Sequence, residues 1–265
     1  MPRRQVEVIV KVSPSAGDVA MAAAAMFAET VSASVAARGL ARVAISGGST
    51  PKAMFQLLAD ESQPFLNDIP WAGLQLFWVD ERCVPPEHPE SNYGMTKAAM
   101  LDKVPLPPAN VHRMEGELDP EEAASRYESE IRNTFKLEGA ETPTFDLILL
   151  GLGPDGHTAS LFPHTEGLNE MSRICMANHV PQKDTWRLTL TWPVITQGRE
   201  VAFLIEGEEK AEIIRTVFTG GYDPETYPAQ LIRPASGKLA LLLDAAAATG
   251  LPGKPTDGET TLELA

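Results

Sequence analysis

Cysteine is scarce in this chain of 265 residues: there are two, Cys83 and Cys175, far apart and in no CxxC spacing. That excludes a disulfide framework and a cysteine-built zinc site, and it points to a reducing, cytoplasmic compartment. Basic residues are also in deficit. Lys and Arg number 22 against 36 Asp and Glu, for a formal charge of −14. This balance argues against nucleic acid as the main partner, because a phosphate backbone needs a basic footprint. It argues equally against an anionic membrane surface. No apolar run of about 18 residues is present, so no transmembrane helix is expected. The opening MPRRQVEVIVKV carries Arg3 and Arg4, but charges interrupt its apolar part and no small-residue cleavage site follows, so it reads as a first strand rather than a leader. HExxH, GxxxxGK[ST] and GxSxG are all missing. Their absence removes the support for a zinc protease, a Walker-type nucleotide site and an α/β-hydrolase nucleophile. The remaining histidines, His88, His112, His164 and His179, lack metal-ligand spacing, and neither a metal nor a cofactor is expected.

Hydrophobic residues at 43% and charged residues at 22% place the chain among globular proteins and exclude wholesale disorder. Residues 6–12 alternate and are rich in Val and Ile, a strand signature. Residues 15–38 are Ala-rich with apolar positions at helical spacing, closed by Gly39. ARVAIS (41–46) is a short strand, followed by a helix over 51–60 with Thr50 as N-cap and Pro51 at its first position. The alternation continues with a buried strand at 74–80 and helices near 91–101 and over 120–138. FDLILLG (145–151) is a strand, as are 173–180, 186–192 and 200–207; a helix spans 209–218 and a last strand 238–244. Continuous apolar strands alternating with helices predict a three-layer α/β/α fold with a mainly parallel, Rossmann-like sheet and helices on both faces. Residues 1–250 are read as one domain; a small lobe around 120–240 is the alternative. The Gly/Pro/Thr-rich tail 251–265 is expected to be peripheral or frayed.

Ligands of such sheets bind outside the C-terminal strand ends. Three turns lie there: SGGSTP (46–51), VDER (79–82) and GLGPDGHTAS (151–160). Ser46, Gly47, Gly48, Ser49 and Thr50 follow a strand and open a helix, a cradle of free N–H groups and hydroxyls for a phosphate. Its bland reading is a capped strand–helix turn. GLGPDG matches GxGxxG literally, but the only acidic residue near the required spacing, Glu170, lies in a loop-like stretch, and Pro154 and Asp155 would crowd a pyrophosphate. His157, after Asp155-Gly156 at a strand end, is the candidate general base; a turn-capping histidine is the alternative. Asp80 and Arg82 at another strand mouth suit hydroxyl and phosphate binding, whereas Glu81 is read as a surface salt bridge. Arg187 and Lys210 are lone basic residues. Lys210 falls in a first helical turn, where the dipole disfavours a cation unless an anion is near.

SGGSTP, VDER with the later SNYG (91–94), LLGLGPDGHTASLFP (149–163), RLTLT (187–191) and EKAEII (209–214) occur in order. Together they resemble the 6-phosphogluconolactonase family, of the bacterial stand-alone type, within the superfamily of glucosamine-6-phosphate isomerases. The resemblance spans about residues 6–245. It implies hydrolysis of 6-phosphogluconolactone to 6-phosphogluconate, the second step of the pentose phosphate pathway, without a cofactor. It implies His157 as the catalytic histidine, and the Gly47–Thr50 loop, Arg82, Arg187 and Lys210 as sugar-phosphate ligands. Asp80 and Asp155 match acidic residues that serve proton transfer or ring chemistry in the isomerase relatives. Those relatives read DGHIAFNEP after the glycine turn; here Phe162 stands where their glutamate would be, and it cannot relay a proton. Two alternatives remain, an amino-sugar phosphate isomerase or deaminase and a non-catalytic sugar-phosphate sensor. A first strand starting near residue 6 leaves no room for the DNA-binding module of such a sensor. A monomer or small homo-oligomer is expected, with a small-molecule sugar-phosphate lactone as its partner.

Overall fold

A computed structural model describes residues 6–234, 237–253, 255 and 258–264. Arg3 and Arg4, and positions 254, 256, 257 and 265 of the tail, lie outside the described residues. The strands are β1 (Val6–Ser13), β2 (Ala41–Ile45), β3 (Leu74–Trp78), β4 (Asp80–Arg82), β5 (Val111–His112), β6 (Leu147–Leu150), β7 (Cys175–Val180), β8 (Thr185–Leu190), β9 (Glu200–Ile205), β10 (Lys238–Asp244) and β11 (Gly258–Leu264). The helices are α1 (Ala16–Arg38), α2 (Ser49–Leu58), α3 (Phe65–Asp68), α4 (Asn92–Thr96), α5 (Pro120–Phe135), α6 (Trp192–Ile195), α7 (Ala211–Thr219) and α8 (Ala245–Ala248).

Eight strands form one sheet in the order β11-β1-β10-β9-β6-β2-β3-β5. Its pairs are parallel except β1 with β11. Strands covered on both faces need no polar alternation, and all four residues of β6 are buried. Alternate side chains feed two cores. On one face Val43, Ile45, Leu76 and Leu204 pack with Phe27 and Val31 of α1 and Met54 of α2. On the other, Ile148, Leu150 and Phe203 pack with Tyr127 of α5 and Ile214 of α7. The three layers expected from the sequence are present.

The helix α1 begins on Ser15, whose hydroxyl accepts from the Asp18 N–H, and closes on Gly39 at φ 79°. By length and composition it is apolar enough to cross a membrane, which the expectation of no such segment missed. Its apolar surface goes into the core: Val19, Phe27 and Val31 are fully buried, each stabilising the fold by about 1.5–3 kcal/mol. The tail contributes β11, the antiparallel edge strand beside β1.

Three further differences concern the site. The sequence places 173–180 and 186–192 among the strands of the parallel sheet. They instead pair antiparallel with each other and with β4 in a separate sheet, ordered β4-β8-β7, packed on α5 through residues such as Cys175, Ala177 and Leu188. The strand expected over 74–80 ends at Trp78, because Val79 changes sheets. Its N–H donates to the Ile45 carbonyl at 2.9 Å, and its carbonyl accepts from the Leu190 N–H at 2.8 Å. Thr50 does not cap α2. The helix starts at Ser49 with Gly48 as N-cap, at φ 119° and with no side-chain cap bond. The turn into the helix comes earlier than expected, and the first N–H groups stay available.

Candidate active site

From β2 the chain moves to β3 on one side, and from β6 to β9 on the other. The crevice between oppositely wound halves is where open α/β sheets bind ligands. Here the loops after β2, β6 and β9 and the small-sheet strands β4 and β8 enclose a cleft of about 410 Å³. All the residues singled out from the sequence line it: Ser46, Gly47, Gly48, Ser49, Thr50, Asp80, Arg82, His157, Arg187 and Lys210, with Asp155 alone reaching it through a neighbour.

The first wall is the loop into α2. The Ser46 hydroxyl is buried and has no hydrogen-bond partner, a polar atom that a ligand would satisfy. The N-terminus of α2 adds uncapped N–H groups and the positive end of its dipole. Ser49 is engaged, its hydroxyl donating to Glu206 at 3.0 Å. Gly47 is needed because Asn92 fills the space a side chain would take; an added Cβ would overlap Asn92 Oδ1.

The second wall is β4 with β8. Arg82 and Arg187 stand opposite each other in register. Arg82 is aimed by a bond from Nη1 to the Glu90 carbonyl at 2.6 Å. Burial, and after it the Arg82 guanidinium, press the Arg187 guanidinium below its ordinary value, against the pull of Asp80 and Glu90. Asp80 is buried; one carboxylate oxygen accepts from the Ser160 hydroxyl at 2.7 Å, and its carbonyl accepts from Asn92 Nδ2 at 2.9 Å.

Glu81 is not the surface salt bridge expected from the sequence. It is buried, and its carboxylate accepts from the N–H groups of Arg82, Asn92 and Tyr93 at 2.8, 2.7 and 2.8 Å and from the Ser91 hydroxyl at 3.1 Å. Burial pushes its carboxyl upward, against the pull of those N–H groups. Its work is to fix the start of α4, and so Asn92, against Asp80 and Gly47. The signal was present in SNYG, a Ser N-cap followed by Asn: the Ser91 hydroxyl accepts from Gly94 N–H at 3.0 Å.

The third wall is the loop after β6. GLGPDG opens no helix; it folds back as a turn in which the Gly153 N–H donates to the His157 carbonyl at 2.8 Å. An added Cβ at Gly153 would overlap the imidazole, so glycine is required for the ring to lie there. His157 Nδ1 contacts Asp155 Oδ1, and the same carboxylate oxygen accepts from the His157 N–H at 3.2 Å. Burial alone would raise the Asp155 carboxyl; the hydrogen bond and charge of His157 outweigh it and hold the group below the usual carboxylate range. Phe162 is buried and stacks on the imidazole, centroids 4.1 Å apart and planes 20° apart. Lys210 stands just before α7 and donates from Nζ to the Leu152 carbonyl at 2.8 Å, which ties the loops after β9 and β6 together.

Asn92, Ser160 and Lys183 also line the cleft, as do the carboxylates Glu206 and Glu209. Lys183 escaped the sequence reading because a lysine in a polar hairpin turn has no motif around it. Among the described residues no group of three or more His, Cys, Asp or Glu side chains is placed to hold a metal ion. The site thus offers one histidine oriented by a carboxylate, a facing pair of guanidiniums, and a helix N-terminus. That is an arrangement for proton transfer on an anionic ligand.

Residues 14–241 match the profile of the glucosamine-6-phosphate isomerases/6-phosphogluconolactonase family. The chain is 43% identical to the 6-phosphogluconolactonase of Synechocystis sp. over 218 residues, 82% of this chain and 87% of that one. It is 37% identical to the 6-phosphogluconolactonase of Haemophilus influenzae, over 77% of this chain and 85% of that protein. The solved structure of 6-phosphogluconolactonase from Trypanosoma cruzi superposes with a TM-score of 0.80 at 30% identity, covering 95% of this chain and 98% of the other. With that match over most of its length, the chain belongs to the glucosamine-6-phosphate isomerase/6-phosphogluconolactonase family.

Proposed function

We propose that this protein hydrolyses 6-phospho-D-glucono-1,5-lactone to 6-phospho-D-gluconate, the lactone-opening step of the oxidative pentose phosphate pathway. The observation that carries the reading is the His157–Asp155 pair opening onto the same cleft as the Arg82–Arg187 pair. The relatives of known name agree with it.

The phosphate sits against the Ser46–Thr50 loop at the N-terminus of α2, with Arg82, Arg187 and Lys210 around it. Charge-assisted hydrogen bonds of this kind contribute about 1.5–3 kcal/mol each. Asp155 holds Nδ1 of His157 in its protonated tautomer, which leaves the Nε2 lone pair for a water molecule. Nε2 takes a proton as the water oxygen bonds to C1, and the carbonyl electrons move to oxygen. The tetrahedral oxyanion then collapses, the bond from C1 to the ring oxygen breaks, and the imidazolium returns its proton to that oxygen. No cofactor takes part. Asp80, fixed by Ser160 and Asn92, orients the sugar hydroxyls. Phe162 beside His157 offers no carboxyl for ring-opening proton relay, which sets this site apart from an amino-sugar isomerase.

Residues 1–250 are read as one domain, and the protein as a cytoplasmic monomer or small homo-oligomer without nucleic-acid or membrane partners. Two free thiols support the compartment, and the charge of −14 supports the exclusion of nucleic acid and anionic membranes. The test of the activity is to generate the lactone in situ and follow its loss against the spontaneous rate. Acceleration by the protein, with no ammonia released from glucosamine 6-phosphate, is expected. Ammonia release without lactone loss overturns the reading.

A further inference from the structure

Lys183 ends the 3₁₀ turn Pro181–Lys183 at the tip of the β7–β8 hairpin. That tip is pinned. Asp184 follows in the left-handed region at φ 47°, and Gln182 Nε2 donates to the Pro163 carbonyl at 2.8 Å. Pro163 ends the segment that carries His157 and Phe162, so the hairpin tip and the histidine loop are joined. Lys183 Nζ lies over the Phe162 ring, 5.7 Å from its centroid, and that ring is stacked on His157. Lys183 lines the cleft, and none of the ion pairs among the described residues involves it. A chain with 36 carboxylates and 22 Lys and Arg side chains leaves this ammonium unpaired at the mouth of its site.

Three cations of the cleft fall into two places, with Lys210 between the loops after β9 and β6. Arg82 and Arg187 belong to the wall of Asp80 and Asn92, next to the α2 N-terminus. Lys183 belongs to the wall of His157 and Phe162. The substrate class of the reading above has a matching polarity: a permanent phosphate at one end, and at the other a carbonyl that becomes an oxyanion and then a carboxylate.

Resting on that lactonase reading, we propose that Lys183 is a catalytic residue that binds the C1 oxygen, holding the oxyanion of the tetrahedral intermediate and then the carboxylate of the product. The ammonium keeps its three protons and forms no covalent bond; it supplies positive charge where negative charge develops.

The test compares two inhibitors on wild-type protein and on Lys183→Met, Lys183→Arg and Arg187→Met. One is 6-phosphogluconate, with a phosphate and a C1 carboxylate. The other is glucitol 6-phosphate, of the same length with an uncharged C1. Lys183→Met is expected to weaken 6-phosphogluconate about tenfold and to leave glucitol 6-phosphate unchanged. It is expected to lower kcat by about tenfold or more with little change in KM, and Lys183→Arg recovers part of both losses. Arg187→Met weakens both inhibitors. Equal weakening of both inhibitors by Lys183→Met with an unaltered kcat makes Lys183 a phosphate ligand and overturns the proposal; no effect on either inhibitor or on kcat overturns it too. Wild-type protein that fails to accelerate lactone loss overturns the lactonase reading itself, whereas active wild type with an unaffected Lys183→Met overturns this inference alone.

Discussion

The Phe162 ring lies face to face with the His157 imidazole, 4.1 Å between centroids, while Asp155 holds the edge of the same imidazole through Nδ1. The histidine is therefore held by an apolar ring on one face and by a carboxylate at one edge. Contacts of this stacked kind contribute about 0.5–1.5 kcal/mol beyond area burial. Phe162→Leu keeps most of the apolar volume but loses the flat face. The expected result is a fall in kcat of about three- to tenfold with KM within twofold, since only the orientation of the base is disturbed. An unchanged kcat would show that the stack positions nothing.

Gly47 and Asn92 are complementary in size, and that complementarity carries a coupled prediction. Gly47→Ala brings a methyl group onto Asn92 Oδ1, and overpacking of this kind costs about 1–3 kcal/mol. Asn92→Ala removes the obstructing amide at the cost of its bond to the Asp80 carbonyl. In the double variant the cost of the added methyl group is expected to fall by about 0.5–3 kcal/mol relative to the wild-type background. Denaturant melts of the four proteins measure it. Strict additivity would mean that the loop and α4 are not in contact in solution.

Asp155 links stability to pH. Its carboxyl lies below the ordinary range in the folded protein, since the His157 interaction outweighs burial. A group lowered on folding adds stability above its unfolded value, about 3.9 for Asp, and that stability is lost as pH falls through the folded value. The side chain is 44% exposed, and screening keeps the effect small. Wild type is therefore expected to melt above Asp155→Asn at about pH 6, with the gap closing towards about pH 3. A gap that stays constant across that range contradicts the pairing.

The fold was legible where side-chain pattern alone decides it. LILL at 147–150 has no polar alternation, as expected of a strand covered on both faces, and Gly39 closes α1 as a C-cap does. What escaped depends on partners distant in sequence. Nothing local tells that Val79 bonds one sheet through its N–H and another through its carbonyl. The two strands 173–180 and 186–192 look like any other apolar runs until α5 and β4 claim them. In the site, strand-end turns located His157 and the Ser46–Thr50 loop on one cleft. Glu81 was misread because a carboxylate next to an arginine suggests an ion pair, and only the approach of α4 supplies the Asn92 and Tyr93 N–H groups that, with that of Arg82, satisfy it in the interior. Lys183 was silent because its meaning comes from the rings beneath it.

In the proposed mechanism His157 passes the proton between water and the ring oxygen. The most direct measurement is kcat and KM for lactone loss, over the spontaneous background, with wild type and His157→Ala. General-base catalysis supplies about 10²- to 10⁴-fold, so kcat is expected to fall by that order while KM stays within a few fold, the phosphate contacts being intact. A variant with wild-type kcat would remove the histidine from the chemistry and contradict the account.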